Sequence, residues 1–355
     1  MLTWHTGLDT LYRTTNPRDR RGSSIRCLGE KAGESRFFHF QGTSMQRGEK
    51  APSALRTRVY VDGYNFYYGC LKGTCYKWLD LYRLFSQQVI PSILVHRAGV
   101  PCRCELLPEA IQYFTARIIE TAAKAADSVS SQARYHSALR KLHEGRIRIV
   151  EGYYSLTKVR MPRIDEASPG RWPRDCDRVA VWKLEEKQSD VSLALHAYHD
   201  AVSNQIDQAV IVSNDTDLMP ALRMIRAHTE VIVGLVIPTL DGQRLPNADL
   251  AAHCHWVRRH LTVEELAASQ LPRVVHGGKK PTIKPDSWHA HPELFREALQ
   301  LAAAVRGSRS AAFQWFDAPS PHFGGQTPIS VMTTEAGLRR VIAYMRRWTA
   351  DPTRR

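Results

Sequence analysis

Four aspartates are the residues of this sequence best placed to do chemistry. Asp62 follows the apolar run Val59-Tyr60-Val61, Asp190 follows Lys187 and Ser189, and Asp215 and Asp217 follow Ala209-Val210-Ile211-Val212. Taken singly, each reads as a turn residue or an N-cap, because Asp accepts hydrogen bonds from nearby backbone and from the free N–H groups of a first helical turn. Brought together without matching Lys or Arg, four carboxylates repel one another unless a divalent cation neutralises them. Oxygen ligands with Asn65 nearby favour Mg²⁺ or Mn²⁺ over zinc. Such a cluster activates water and stabilises charge on a phosphodiester.

The elements that would position these acids follow from hydrophobic periodicity. A strand at 58–62 precedes a helix at about 78–92, a strand at 110–119 and a polar helix at 128–144 closed by Gly145. Residues 146–156 read as a third strand, and 178–188 as a strand or loop leading into a helix with Val191, Ala194, Leu195 and Tyr198 on one face. Residues 207–228 form a buried strand turning straight into a helix, 230–238 another buried strand, and 247–271 a helical stretch. Continuous apolar strands alternating with helices imply an α/β fold around a mostly parallel sheet covered on both faces. Ligands sit at the carboxyl ends of such strands, where all four aspartates fall. Tyr64, Phe66, Tyr67 and Tyr68 beside Asp62 suit stacking on bases, although alternation gives two of them to the core.

Charge is distributed unevenly. Of a formal net charge of +14, residues 1–58 carry +6 and residues 273–355 carry +7, leaving the centre nearly neutral. A basic periphery suits a polyanion such as RNA, and equally a solvated surface with no partner. Apolar runs stay short of the ~20 residues a membrane helix needs, so no membrane partner is expected. The N-terminus offers no secretory pattern, and seven cysteines form no paired framework; both point to reduced thiols and a cytoplasmic setting. Residues 1–56 lack a sustained period and read as a disordered basic extension.

"VYVDGYNFYYG", "EEKQSDVSLALHAYHDA" and "VIVSNDTDLMPAL" together resemble the three motifs of NYN-domain proteins, the LabA-like branch of the PIN-like ribonuclease fold, over about residues 57–272. The resemblance implies a metal-dependent endoribonuclease acting on RNA, single strands above all, with Asp62, Asp190, Asp215 and Asp217 as catalytic metal ligands. Asn65 would orient Asp62 or the scissile phosphate, and Tyr64, Lys187, Ser213 and His196 would line the substrate path. His196 stands where many members carry a second helical aspartate. That departure either weakens the metal site or supplies a neutral ligand, and a solvated histidine on a polar face is the plain alternative.

The C-terminal part is a different object. After a polar linker at 273–292, residues 293–350 read as short helices around a Pro/Gly turn, with Thr334 capping the last. Trp315, Pro319, Gly325, Pro328, "TTEAG" and Val341 resemble the toxin-binding domain of the Xre/MbcA/ParS antitoxins. That resemblance implies a small all-helical module binding a toxin-like protein or self-associating into a homo-oligomer, with Trp315 and Phe316 as exposed anchors; a helical appendage packed on the main domain is the alternative. Two classes of function follow: a ribonuclease, or an inactive PIN-like scaffold that binds RNA or acts as a toxin-binding adaptor.

Overall fold

The computed structural model describes residues 54–241 and 243–350. The basic extension expected at 1–56 therefore lies, up to residue 53, outside the described residues. Strand β1 (Ala54–Asp62) runs into a short helix α1 (Gly63–Phe66) that continues as a π-helical turn to Leu71. Gly63 makes that turn: a Cβ there would stand 2.5 Å from the Phe114 carbonyl oxygen. Helix α2 (Leu81–Arg83) continues as π-helix through Leu84–Val89, and β2 (Val95–Arg97) folds back on the long β3 (Val100–Arg117). Then come α3 (Ser128–Leu142), β4 (Ile147–Pro162), β5 (Arg178–Lys187), α4 (Ser189–Val202), β6 (Gln208–Val212), α5 (Met219–His228) and β7 (Ile232–Val236).

The fold is α/β and PIN-like. Its main sheet has the order β5-β4-β3-β1-β6-β7-β8, where β8 is Trp256–Arg258. The pairs from β4 to β8 are parallel, while the edge strand β5 is antiparallel to β4 and β2 to β3. Because β1 lies between β3 and β6, the chain leaves it first to one side and later to the other. This opens a crevice beyond its carboxyl end. Alternation along β1 sends Val59 and Val61 into one core with Phe66, Trp78, Phe85 and Tyr135, and Tyr60 into the opposite core with Phe114, Leu193 and Leu222.

Three expectations are corrected here. The 247–271 stretch is not one helix but α6 (Ala248–Ala251), β8, and α7 (Val263–Ala268). Gly234 leaves room for the Trp256 indole beside β7, which lets β8 pair there, and a Thr262–Glu265 capping box starts a new helix. Residues 273–292, expected as a linker, carry the two-stranded hairpin of β9 (Val274–Val275) and β10 (Thr282–Ile283), which is tied to α3 by Lys141 Nζ donating to Thr282 Oγ1 at 2.8 Å. Trp288 from the same stretch packs on Trp78 and Tyr135.

The third correction concerns the C-terminal helices α8 (Pro292–Arg306), α9 (Arg309–Asp317), α10 (Pro328–Val331) and α11 (Glu335–Ala350). Phe316 is fully buried among Phe295, Phe313 and Leu338, and Trp315 is half-buried, stacked on Tyr344 with ring centroids 5.9 Å apart. Helical spacing puts Phe313 and Phe316 on one face, so Phe316 serves the core and not an exposed anchor. Thr334 accepts from the Gly337 N–H at 3.1 Å, as a cap should. The helical module meets the sheet domain through Arg309 and Asp286 at 2.7 Å and through Arg273, which pairs with Asp317 and lies 4.3 Å over the Phe313 ring. Among the described residues the cysteines are unbridged, and no helix is long and apolar enough to cross a membrane.

Candidate active site

At the carboxyl ends of β1 and β3, beside the middle of β4, lies a cavity of about 720 Å³. Asp62, Asp190 and Asp215 reach it from β1, α4 and the turn after β6. Asp62 is held from two sides: the Asn65 backbone N–H donates to Oδ1 at 2.9 Å and the Ser213 hydroxyl to Oδ2 at 2.7 Å. The same Ser213 oxygen accepts from the Asp215 N–H at 3.0 Å, which locks the β6 turn onto the β1 turn.

Burial pushes the Asp62 carboxyl up to about 7; the Asn65 and Ser213 bonds oppose this, and the charges of Asp190 and Asp215 add to it. Asp190 is raised to about 6 by desolvation, with Asp215, Glu186 and Asp217 reinforcing the shift. This wall can therefore hold or release a proton near neutral pH.

The residues expected in the site do not all arrive there. Tyr64, 42 % exposed, lines the cavity and packs against Tyr68 at 4.4 Å. Asn65 holds Asp62 through its backbone; its side-chain oxygen instead accepts from the Asn214 N–H at 3.4 Å. Asp217 lies outside the cavity lining, its N–H capped by Asp215 Oδ1 at 2.9 Å. Lys187 sits 3.3 Å from Glu185, because strand alternation turns it away from the face where Glu186 lines the cavity. His196 is likewise outside the lining: six residues beyond Asp190 is about 9 Å along the helix, and its ring meets Phe114 edge-on at 5.4 Å.

Other residues join that the sequence did not single out. Glu186, raised by burial, accepts from the Ser189 hydroxyl and from Tyr154 at 3.2 Å. Tyr113, His136 and Trp288 supply walls, and Lys77 and Lys124 supply two cationic side chains. The signal for His136 was present: on α3 it adjoins Tyr135, with Leu139 one turn on, so the helix turns a histidine toward its apolar side.

The donors are all oxygen and so of the kind Mg²⁺ or Mn²⁺ prefers. Their placement does not match: among the described residues no three Asp, Glu, His or Cys side chains are gathered closely enough to hold one ion.

Residues 145–255 match the NYN domain and residues 300–349 the antitoxin Xre/MbcA/ParS C-terminal toxin-binding domain. The first span contains Asp190, Asp215 and Asp217, and Asp62 lies upstream of it. The chain is 55% identical over 299 residues, 84% of its length and 96% of the relative's, to 6-hydroxy-3-succinoylpyridine 3-monooxygenase HspA of Pseudomonas putida (strain DSM 28022 / S16). It belongs to the HspA family. The HspA-type chain thus combines a nuclease-like NYN domain with an antitoxin-like module, and the relative it matches nearly end to end is named as an oxygenase. A solved structure of a protein of unknown function, VPA0982 from Vibrio parahaemolyticus RIMD 2210633, aligns with 61% of this chain and 96% of its own at 15% identity; its TM-score of 0.32 is too low to bear on fold or function.

Proposed function

We propose that this chain is a monooxygenase acting on a small hydroxypyridine with an acyl side chain, bound in the cavity beside Asp62. The observation that carries this reading is the 55% identity to HspA across 96% of that protein. The cavity is consistent with it. Its volume of about 720 Å³ lies in the range of small-molecule sites. Tyr64, Tyr68, Tyr113 and Trp288 offer flat apolar walls for a ring, and Lys77 and Lys124 suit the carboxylate that ends a succinoyl chain. Asp62 and Asp190, which burial raises to about 7 and about 6, would hold or deliver a proton at the ring oxygen. Monooxygenation places one atom of O₂ in the product, reduces the other to water and draws two electrons from a reductant.

The test is to incubate the purified full chain in air with 6-hydroxy-3-succinoylpyridine and, in turn, NADH, NADPH and reduced flavin, following ring absorbance and oxygen uptake. Substrate loss that stops when either oxygen or reductant is withheld is expected. No loss with any reductant would overturn the reading.

A second reading is favoured by one observation: Asp62, Asp190 and Asp215 line one cavity beside the NYN-matching segment, and among the described residues none of the three is paired with a Lys or Arg. On it the chain is an endoribonuclease dependent on Mg²⁺ or Mn²⁺, or an RNA-binding scaffold. Labelled single-stranded RNA with Mg²⁺, Mn²⁺ or EDTA tests it, and an intact RNA under all three conditions removes the enzyme form. The 300–349 match further suggests a toxin-like protein partner, and self-association belongs to the same proposal. Light scattering and pull-down with and without 293–350 address both.

A further inference from the structure

Strand β4 leaves β3 at Tyr153, and from there to Pro162 it pairs with β5 alone. The two form an antiparallel ribbon with no third strand beside it, an arrangement that is marginal in water by itself. Among the described residues nothing pairs with the outer edge of β5, so alternate residues along its ten present free N–H and C=O groups. The edge is also apolar where water meets it: Trp182 is 66% exposed, and Val179 and Leu184 are exposed with it.

The charges of this strand decide what fits it. An edge strand that meets its own copy across a two-fold axis normal to the sheet pairs antiparallel, centred on one residue. With Trp182 at the centre, Arg178 stands opposite Glu186 of the second copy and Asp177 opposite Lys187 of the second copy, and symmetry makes each pair twice. Leu184 then meets Ala180, and the two Trp182 rings lie side by side. Shifting the centre to Lys183 sets lysine against lysine, and shifting it to Val181 sets Asp177 against Glu185; like charges directly opposite are destabilising. Of these three registers, only the one centred on Trp182 joins opposite charges without opposing like ones. Both N-terminal charges are available for it, since among the described residues neither Arg178 nor Asp177 has an ion-pair partner: the Arg178 guanidinium donates to the Arg160 carbonyl at 2.8 Å.

We propose that a second copy of this chain docks edge to edge on β5, antiparallel and centred on Trp182, so that the two main sheets become one. Leu184 and Glu186 line the cavity, and alternation puts Trp182 on their face, so the dimer brings Arg178 of the second copy beside Glu186 at the cavity wall. This interface is separate from the helical module and does not depend on which reaction the cavity performs.

Sedimentation velocity and disulfide trapping of the full chain test it. The wild-type chain should sediment as a dimer. Asp177→Lys opposes like charges twice and should raise the dimer dissociation constant about tenfold or more, as should Lys187→Asp. Combining the two reverses both signs together and should restore the dimer, which a general loss of structure would not allow. In a Cys176→Ser background, Trp182→Cys should cross-link to its copy on mild oxidation, because directly opposed strand residues lie about 4.5–5.5 Å apart between Cα atoms, within the span of a disulfide. Lys183→Cys, which points to the other face and has no copy of itself opposite, should stay uncross-linked. A monomeric wild-type chain, single charge reversals without effect, or Lys183→Cys cross-linking as readily as Trp182→Cys overturns the proposal and leaves the monooxygenase reading standing.

Discussion

The helical module and the crevice of the sheet domain treat their acidic residues in opposite ways. In the helical module, Glu335 pairs with Arg339, Glu297 with Arg346 and Asp317 with Arg273. At the crevice of the sheet domain, Asp62 and Glu186 are held by hydroxyl and backbone donors, and burial raises both of them and Asp190 from their ordinary values. Stability alone favours the first arrangement. The second keeps protons available near neutral pH at a cost in folding energy, as an active site does. The contrast extends to aromatic residues: Phe295, Phe313 and Phe316 fill a core, whereas Tyr64 and Tyr68 pack against each other at the cavity wall.

The contrast breaks first at Phe316. Phe316→Ala should destabilise the chain by about 3–5 kcal/mol, as expected for emptying a fully buried aromatic site. Urea unfolding followed by the fluorescence of neighbouring Trp315 reads this out, and a loss under 1 kcal/mol would return Phe316 to a surface role.

Asp62 comes next, with the opposite sign. Its folded-state value near 7 exceeds the ordinary 3.8, so the native state keeps a proton that the unfolded chain releases. The associated stability is fully present below about pH 4 and is lost as pH rises through about 7. Asp62→Asn should therefore stabilise the protein by about 2 kcal/mol at pH 8 and flatten stability between pH 4 and 7, while abolishing turnover. A destabilised variant at pH 8, measured by urea titration, would show that the site is not strained by its charge.

The smallest effect belongs to the module's surface. Glu335→Gln removes an exposed i,i+4 pair with Arg339 and should leave the melting temperature unchanged in thermal scans. A clear drop would mean that this pairing carries more of the module's stability than its exposure allows.

Much of the sheet domain was legible in the sequence because buried strands next to helices leave strong periodicity: 207–228 and 230–238 fall where β6, α5 and β7 stand. Short elements were not. β8 spans three residues and depends on the missing side chain of Gly234, a tertiary fact with no local trace. Phe316 was misread as exposed because, with Trp315 adjacent, only the positions of α8 and α11 decide which ring faces inward. In the site, Asp62, Asp190 and Asp215 were legible as strand-end acids. Lys187 and His196 were displaced by strand and helix phase, and Glu186 was overlooked because its role comes from β5 pairing with β4; for His136 the local signal beside Tyr135 is present, and its place at the cavity comes from α3 packing against Tyr113. The oxygenase reading had no signature in the motifs, which belong to a nuclease-like fold; it came from the whole-chain likeness to HspA.

Oxygen labelling tests the central claim most directly. Under ¹⁸O₂ in unlabelled water, with substrate and a two-electron reductant, the product of 6-hydroxy-3-succinoylpyridine turnover should carry one ¹⁸O atom by mass spectrometry. A product without ¹⁸O, formed with no consumption of O₂, would identify a hydrolase working at the aspartate cluster and contradict the account.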